Sequence, residues 1–526
     1  MKKIIIFLLI IVVTFGENKK NYSPKVGLVL SGGAAKGFAH IGTLKVLEKN
    51  NIKIDYISGT SIGALIGVFY SAGYSIEEIE DIMKNIDPSM FFTDKIDRKD
   101  LPMEEKIFSE RYTFSVPLKN FKIDLPQSLI SGQNVYMFLK KYLWDAKKIK
   151  NFEDLPIPVH IITTNMNTGE EVVLSKGDLA KALSASMALP AFFHPIKWDD
   201  KVLADGLSAN NFPVDEVKKM GADIVIGVNI TAPLADMKDL NFITVLNQLQ
   251  YFRSYDNTKE AKKRANILIE PSTDKYFPLD FSKSEELVKI GEEATQNKVE
   301  EIINEVPTKN NSSRNSIIKG NNSFVFVDKI EIKGLEKLDS SFVLKVIKKE
   351  PPFEINSQEL EDIIKRLYAF KFFKRIYYEF SENTLILTFE EKTTDKINVG
   401  FNYKNIDGNN EGRASIGLEL NSLLIKNNKL NFDAVISGNP EVTLKNYIYY
   451  GRGIFGKIGL LSTLTYREQS VYENIKDNKA LTDNESYKAD FLIGSIMGKK
   501  NLFGFGFNYE KLNIDAMMRT IWHMDK

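Results

Sequence analysis

The sequence predicts a multidomain chain: an α/β domain with a parallel-sheet core and flanking helices, a small α+β domain, and a partial β-barrel of membrane-type strands. Three observations predict it. From Val26 to about Ile303, short apolar runs alternate with helix-like segments, the texture of parallel strands joined by crossover helices. The polar, turn-rich stretch PTKNNSSRNSIIKGNN (Pro307–Asn322) interrupts that pattern. After Lys392, segments rich in Tyr, Phe and Gly repeatedly alternate apolar and polar residues.

Length and composition narrow the chemistry. A chain of 526 residues exceeds what one core usually holds, so two or three domains are expected. A formal charge of +1 gives no basic footprint for nucleic acid, and no such partner is expected. The absence of cysteine excludes disulfides, thiolate catalysis and Cys-ligated metal. The four histidines, His40, His160, His194 and His523, have no zinc-site spacing, so a zinc site is not expected; no cofactor is expected either.

The chain opens MKKIIIFLLIIVVTFGENKK. Lys2 and Lys3 precede a short apolar run, Ile4–Val13, and the small residues Thr14 and Gly16 follow it. The run is short for a membrane span, so residues 1–16 are read as a signal peptide and the rest as exported. In the α/β part, Val26–Leu30, Val159–Thr163 and Ile224–Asn229 read as buried strands. His40–Lys49, Ser75–Asn85 and Gln133–Leu143 read as helices. Phe242–Phe252 (FITVLNQLQYF) is read as core, with a lipid-entry lid or a self-association face in a homo-oligomer as alternatives.

Residues 306–322 read as a linker. Beyond it come a strand, Phe324–Ile332, amphipathic helices at Ser341–Lys348 and Ser357–Ala369, and a hairpin of Ile376–Phe380 with Leu385–Glu390. Seven strands are then expected near Ile397–Lys404, Ala414–Leu420, Leu430–Ser437, Leu444–Tyr450, Ile458–Tyr466, Ala489–Met497 and Phe503–Tyr509. Seven is fewer than the eight or so of the smallest single-chain membrane barrels, so this part is expected to be incomplete.

Three local patterns carry chemistry. ISGTSIG places Ser61 between Gly59 and Gly63, after the strand-like IKIDYI (Ile52–Ile57) and before the helix-like Ile62–Tyr70. A strand–Ser–helix turn presents the hydroxyl at a helix N-terminus, where negative charge is favoured. In GLVLSGGAAKG, a strand runs into Ser31–Gly37, a loop of exposed N–H groups around Gly32, Gly33 and Ala34 that could hold an oxyanion. It lacks the G-K-[ST] of a nucleotide phosphate loop, and its spacing fails G-x-G-x-x-G. In LADGLSANNFPV, Asp205 and Gly206 occupy a turn; alone, they could be an Asp serving its own turn.

Taken together, Gly32–Gly37, Gly59-Thr60-Ser61-Ile62-Gly63, Asp205-Gly206 and SASMALPAFFHP (Ser184–Pro195) resemble the patatin-like phospholipases over residues 25–305. Ala34, in place of a third glycine, and Leu207 depart from that family's pattern. The resemblance implies a Ser–Asp dyad, Ser61 as nucleophile and Asp205 as proton acceptor. It implies an oxyanion hole of Gly32, Gly33 and Ala34, supported by Lys36, Gly37, Gly59, Gly63 and Gly206. Lys36 could favour an anionic head group or lie solvated in the loop.

Residues 323–392, with VDKIEIKGL and LYAFKFFKRIYYEF, resemble a POTRA domain, and residues 393–526 an outer-membrane barrel. That order resembles type V secretion proteins of the patatin class. It implies a phospholipid membrane as substrate, the outer membrane and its assembly machinery as partners, and a lipase at the surface or released by a cut in Thr308–Asn322. A lipid-binding transport protein without catalysis and a short-chain carboxylesterase are the alternatives.

Overall fold

The structure is a computed structural model. It describes residues 23–91, 93, 94, 96, 101, 112–119, 121–124, 128–231, 233, 234, 242–306, 314–318, 323–406, 409–421, 428–436, 439–453, 456–475, 478–497 and 501–517. The signal-peptide reading of residues 1–16, most of the linker and His523 therefore lie outside the described residues. The chain forms two compact units, residues 1–91 with 138–323 and residues 92–137 with 324–526. Residues 92–137, read from sequence as part of the α/β segment 25–305, thus belong to the second unit.

The first unit is built on an eight-stranded sheet. Its strands are β1 (Val26–Leu30), β2 (Tyr56–Thr60), β3 (Val159–Asn165), β4 (Glu171–Leu174), β5 (Ile196–Trp198), β6 (Lys201–Asp205), β7 (Ile224–Val228) and β8 (Ile267–Ile269). Across the sheet the order is β8-β7-β1-β2-β3-β6-β5, with β4 paired to β3. The five strands β8, β7, β1, β2 and β3 run parallel. These five form the expected parallel core; at one side β4 and β6 pair antiparallel with β3, and β5 with β6. Strands β5 and β6 are joined by only Asp199 and Asp200, too few residues for a crossover helix, so they must form a hairpin.

Helix α1 (Phe38–Lys49) follows β1, and α2 (Ile62–Ala72) follows β2. Every residue of α2 is buried, which explains its lack of polar periodicity. Helix α3 (Ile76–Lys84) is amphipathic and starts at a capping box. The Glu78 N–H donates to Ser75 Oγ (3.1 Å), and the Ser75 N–H to Glu78 Oε2 (2.8 Å). Such a cap is worth about 1 kcal/mol. Helices α4 (Leu179–Ser186), α5 (Val214–Lys219), α6 (Phe242–Lys262), α7 (Ser284–Gln296) and α8 (Val299–Glu305) complete the unit. On one side of the sheet Val29, Phe212, Val214, Val217, Val225 and Ala261 form a buried apolar cluster.

The second unit contains a small α+β part. Its elements are β9 (Val325–Val327), β10 (Lys329–Lys333), α9 (Ser340–Ile347), β11 (Phe353–Ile355), α10 (Ser357–Tyr368), β12 (Phe373–Ser381) and β13 (Thr384–Glu391). The single strand expected at Phe324–Ile332 is two strands in different sheets. β9 pairs antiparallel with β11, whereas β10 runs parallel to β13 in a three-stranded sheet completed by β12. Gln133 and Tyr136, from the upstream segment 92–137, pack here too. The Ile376 N–H donates to Gln133 Oε1 (2.8 Å), and the Tyr378 N–H to Tyr136 Oη (3.0 Å).

The rest of the second unit is a nine-stranded antiparallel sheet. All seven expected strands are present, from Lys396–Ile406 to Asn501–Met517. Two more, Phe114–Lys119 and Lys122–Ile123, come from the upstream segment; Phe114–Pro117 pairs with Lys396–Val399. Among the described residues the sheet is not closed into a barrel. Its alternation is inverted relative to a soluble sheet. Along Asn428–Ile436, Asn431 and Asp433 are buried while Phe432 and Ile436 are exposed. On the edge strand residues 504–513 are exposed on both faces, and Glu419 is buried with ion pairs to Lys396 (3.2 Å) and Lys429 (2.9 Å).

Candidate active site

Strand β2 begins at Tyr56, so the strand-like IKIDYI contributes only its last two residues, and the strand runs on through Gly59 and Thr60 to the turn. Ser61 is the N-cap of α2, with φ 54° and ψ −123°. This is an unfavourable conformation for a residue with a Cβ and costs on the order of 1–3 kcal/mol, so the surroundings must enforce it.

They do so by close packing. A Cβ on Gly63 would clash with the carbonyl oxygens of Leu30 and Ser31, and one on Gly37 with the side chain of Ile62. The loop after β1 therefore lies directly on the first turn of α2. Gly59 is just as crowded, since its Cβ would stand 2.6 Å from the Ala64 nitrogen. Within the loop, a Cβ on Gly32 would stand 3.3 Å from the Ser61 Cβ. The loop is fixed from outside: Ser31 N–H donates to Val228 O (3.2 Å), Ile230 N–H to Ser31 Oγ (2.9 Å) and Asn211 Nδ2 to Gly32 O (3.3 Å). Ala34 takes φ 50° and opens a short 3-10 turn, Ala34–Gly37. Among the described residues, no protein acceptor takes the N–H of Gly32 or Gly33, whereas Ala35 N–H donates to Pro278 O (2.9 Å). Free N–H groups beside Ser61 are what an oxyanion site requires.

Asp205 ends β6, and the Ser61 side chain acts on its carboxylate to favour the charged form. Its backbone is held by Ala188 O (2.9 Å) and by the Thr164 hydroxyl (2.8 Å), and Oδ1 accepts from Leu207 N–H (2.9 Å). The next residue, Gly206, leaves no room for a side chain: a Cβ would stand 2.7 Å from Ile162 O. Burial pushes the Asp205 carboxyl up from 3.8 to about 7, against the Leu207 N–H and the Ser61 side chain, which favour the charged form. A carboxylate poised near neutral pH beside a hydroxyl is suited to taking its proton.

Lys36 is buried rather than solvated. Its ammonium is held below the usual lysine range by desolvation, which the charges of Asp274 and Asp280 oppose. His40, on α1, donates through Nε2 to Ser31 O (2.8 Å), and burial holds it neutral with a pKa of about 4. His160 contacts Glu216 (2.9 Å) and His194 is buried. Among the described residues neither hydrogen-bonds to Ser61 or Asp205. Helix α6 flanks the site: Gln250 Nε2 donates to Pro190 O (3.5 Å) and Asn257 Nδ2 to Ala209 O (3.1 Å). It is not wholly core, because Leu249 and Phe252 are exposed. The structure adds Ser186 and Asn211, which the sequence reading did not single out. Both hold backbone, and a serine or asparagine in that role leaves no spacing signal.

The geometry thus brings together a strained serine after a parallel strand, a buried aspartate and loop N–H groups that no acceptor among the described residues takes. Residues 28–218 match the family model described as Patatin: Patatin-like phospholipase. That stretch, just over a third of the chain, therefore carries a patatin-like phospholipase domain. Lysophospholipase NTE1 of Scheffersomyces stipitis is 28% identical over 293 residues, covering 51% of this chain and 17% of that protein. The chain thus spans less than a fifth of that relative's length. Among solved structures, VipD from Legionella pneumophila aligns at 15% identity over 53% of this chain and 67% of that one, with a TM-score of 0.30. BamA from Haemophilus ducreyi lacking POTRA domains 1–3 aligns at 15% identity over 36% of each chain, with a TM-score of 0.25.

Proposed function

We propose that the protein is a lipid acyl hydrolase of phospholipase A type that uses Ser61 and Asp205 as a dyad. The observation that carries this reading is the strained Ser61 turn, whose side chain favours the charged form of the buried Asp205, beside loop N–H groups of Gly32 and Gly33 that no acceptor among the described residues takes. Ser61 Oγ attacks the ester carbonyl as its proton passes to Asp205. The oxyanion forms against the loop N–H groups, each worth about 3 kcal/mol in comparable sites. Collapse breaks the acyl C–O bond, and the departing alkoxide takes the proton from Asp205. Water then attacks the acyl-enzyme, losing its proton to Asp205, which returns it to Ser61 as the fatty acid leaves.

A lipid surface rather than a small soluble ester suits the rim. Pro278, which receives the Ala35 N–H, lies between the exposed Phe277 and Leu279. The second unit is read as a POTRA-like domain followed by strands that span an outer membrane, as in type V secretion. The support is its apolar-outward, polar-inward alternation, the pattern of a strand with lipid on one side and a polar lumen on the other.

The test is fatty-acid release from phosphatidylcholine vesicles by the full-length protein, with divalent cations chelated. Loss of release in both Ser61→Ala and Asp205→Asn, with folding retained, supports the dyad. Release retained in both would overturn it.

A further inference from the structure

The strained turn at Ser61 raises a question of support. Thr60 is the last residue of β2 in register with β3, where it faces Ile162. At Ser61 the chain swings away with φ 54°, so the ladder stops. A backbone N–H left there without an acceptor would carry the penalty of an unsatisfied buried donor.

One hydroxyl fills the gap. Ser186, the fully buried last residue of α4, accepts the Ser61 N–H at Oγ (2.9 Å) and donates the same hydroxyl to Ile162 O (2.6 Å). It extends the β2–β3 ladder by one bridged link where the chain leaves the sheet. Two residues on, Ala188 O accepts the N–H of Asp205 (2.9 Å). The three residues Ser186–Ala188 therefore grip the backbone of the serine and of the aspartate at once. Their spacing fixes how far Ser61 Oγ stands from the Asp205 carboxylate. The same bond occupies the Ser61 N–H, leaving the oxyanion role to the loop.

We infer that Ser186 is a positioning residue for the ester hydrolysis, its bridging hydroxyl holding the Ser61 turn in register with Asp205. This rests on the Ser61–Asp205 reading above. It predicts a catalytic effect out of proportion to any loss of fold, because a small shift between reacting groups can lower a rate on the order of 100-fold.

The experiment compares full-length wild type, Ser186→Ala, Ser186→Cys and Ser186→Thr. Cysteine keeps the volume with weaker hydrogen bonds, which guards against a folding failure of the alanine variant; threonine restores the hydroxyl. Expected in Ser186→Ala is a kcat lowered about 10- to 100-fold with KM nearly unchanged. The acid limb of its pH profile moves to higher pH, because the action of Ser61 in favour of ionised Asp205 is weakened. Cysteine falls between, threonine recovers much of kcat, and hydrogen exchange at the Ser61 amide quickens in the alanine variant. Wild-type kcat and an unmoved acid limb in both Ser186→Ala and Ser186→Cys would overturn the inference. So would a kcat loss that merely tracks the folded fraction. If Ser61→Ala leaves hydrolysis intact, the dyad reading itself has failed, whatever Ser186 does.

Discussion

At pH 8, replacing Asp205 with Asn is expected to abolish ester hydrolysis and yet stabilise the first unit. The carboxyl is buried and titrates near 7 instead of 3.8. At 1.36 kcal/mol per pH unit, that gap corresponds to about 4 kcal/mol. Below pH 3.8 the side chain is protonated in both folded and unfolded chains and contributes no pH dependence. From there to about pH 7 the folded chain keeps a proton that the unfolded chain releases, so stability falls as pH rises. Above 7 the buried charge exerts its full destabilisation. Asparagine cannot ionise, so its advantage should be absent near pH 4, grow through pH 5–7 and level off above. Asparagine also forfeits what Ser61 contributes to the charged form, so 4 kcal/mol is an upper bound. Because the chain has two units, a single unfolding midpoint is a poor probe. Hydrogen exchange of first-unit amides at pH 5 and pH 8, corrected for intrinsic rates, reads the difference directly. Identical pH dependence of protection in wild type and Asp205→Asn would refute the idea that this carboxylate is held charged against its burial.

The same titration predicts that wild-type kcat/KM rises with pH through about 7, since ionised Asp205 is the proton acceptor; a limb near 4 would contradict it. The exposed Leu249, Phe252, Phe277 and Leu279 are expected to serve the lipid surface: changing them to serine should lower vesicle hydrolysis about ten-fold or more while sparing a short soluble ester. Equal losses on both substrates would contradict that reading. The chain passes between the units after Phe91, Met137 and Ser323. A protease site inserted at residues 308–313 and cut in the full-length protein should therefore leave the hydrolase part retained without denaturant, as two bands on a denaturing gel and one species under native separation. Free release of the hydrolase fragment would show that residues 92–137 do not hold it.

The parts that were legible in the sequence are those fixed by neighbours along the chain. Gly59, Ser61 and Gly63 announce a tight strand-to-helix turn because nothing larger fits against Leu30 and Ala64. The alternation after Lys392 marks strands for a similarly local reason, the period of two along each strand. What was hidden depends on partners far away in sequence. Phe114–Lys119 has no pattern that assigns it to a sheet whose next strand begins at Lys396. The antiparallel side of the first sheet follows from the Asp199–Asp200 turn, whose pairing the sequence reading did not anticipate. Lys36 reads from the sequence either as a head-group partner or as a solvated loop lysine, and only the fold shows that it is buried. Ser186 lay within a segment already singled out, SASMALPAFFHP, but only geometry shows that its hydroxyl bridges Ser61 and Ile162.

The most direct test of the account is covalent. Full-length protein is mixed with a fluorophosphonate that mimics a phospholipid ester, digested, and mapped by mass spectrometry, beside the Asp205→Asn variant. The account predicts a single adduct on Ser61, formed in proportion to lost hydrolysis, and much slower labelling in the variant. Hydrolysis blocked by an adduct on another residue, or lipid hydrolysis persisting with Ser61 fully labelled, would contradict it.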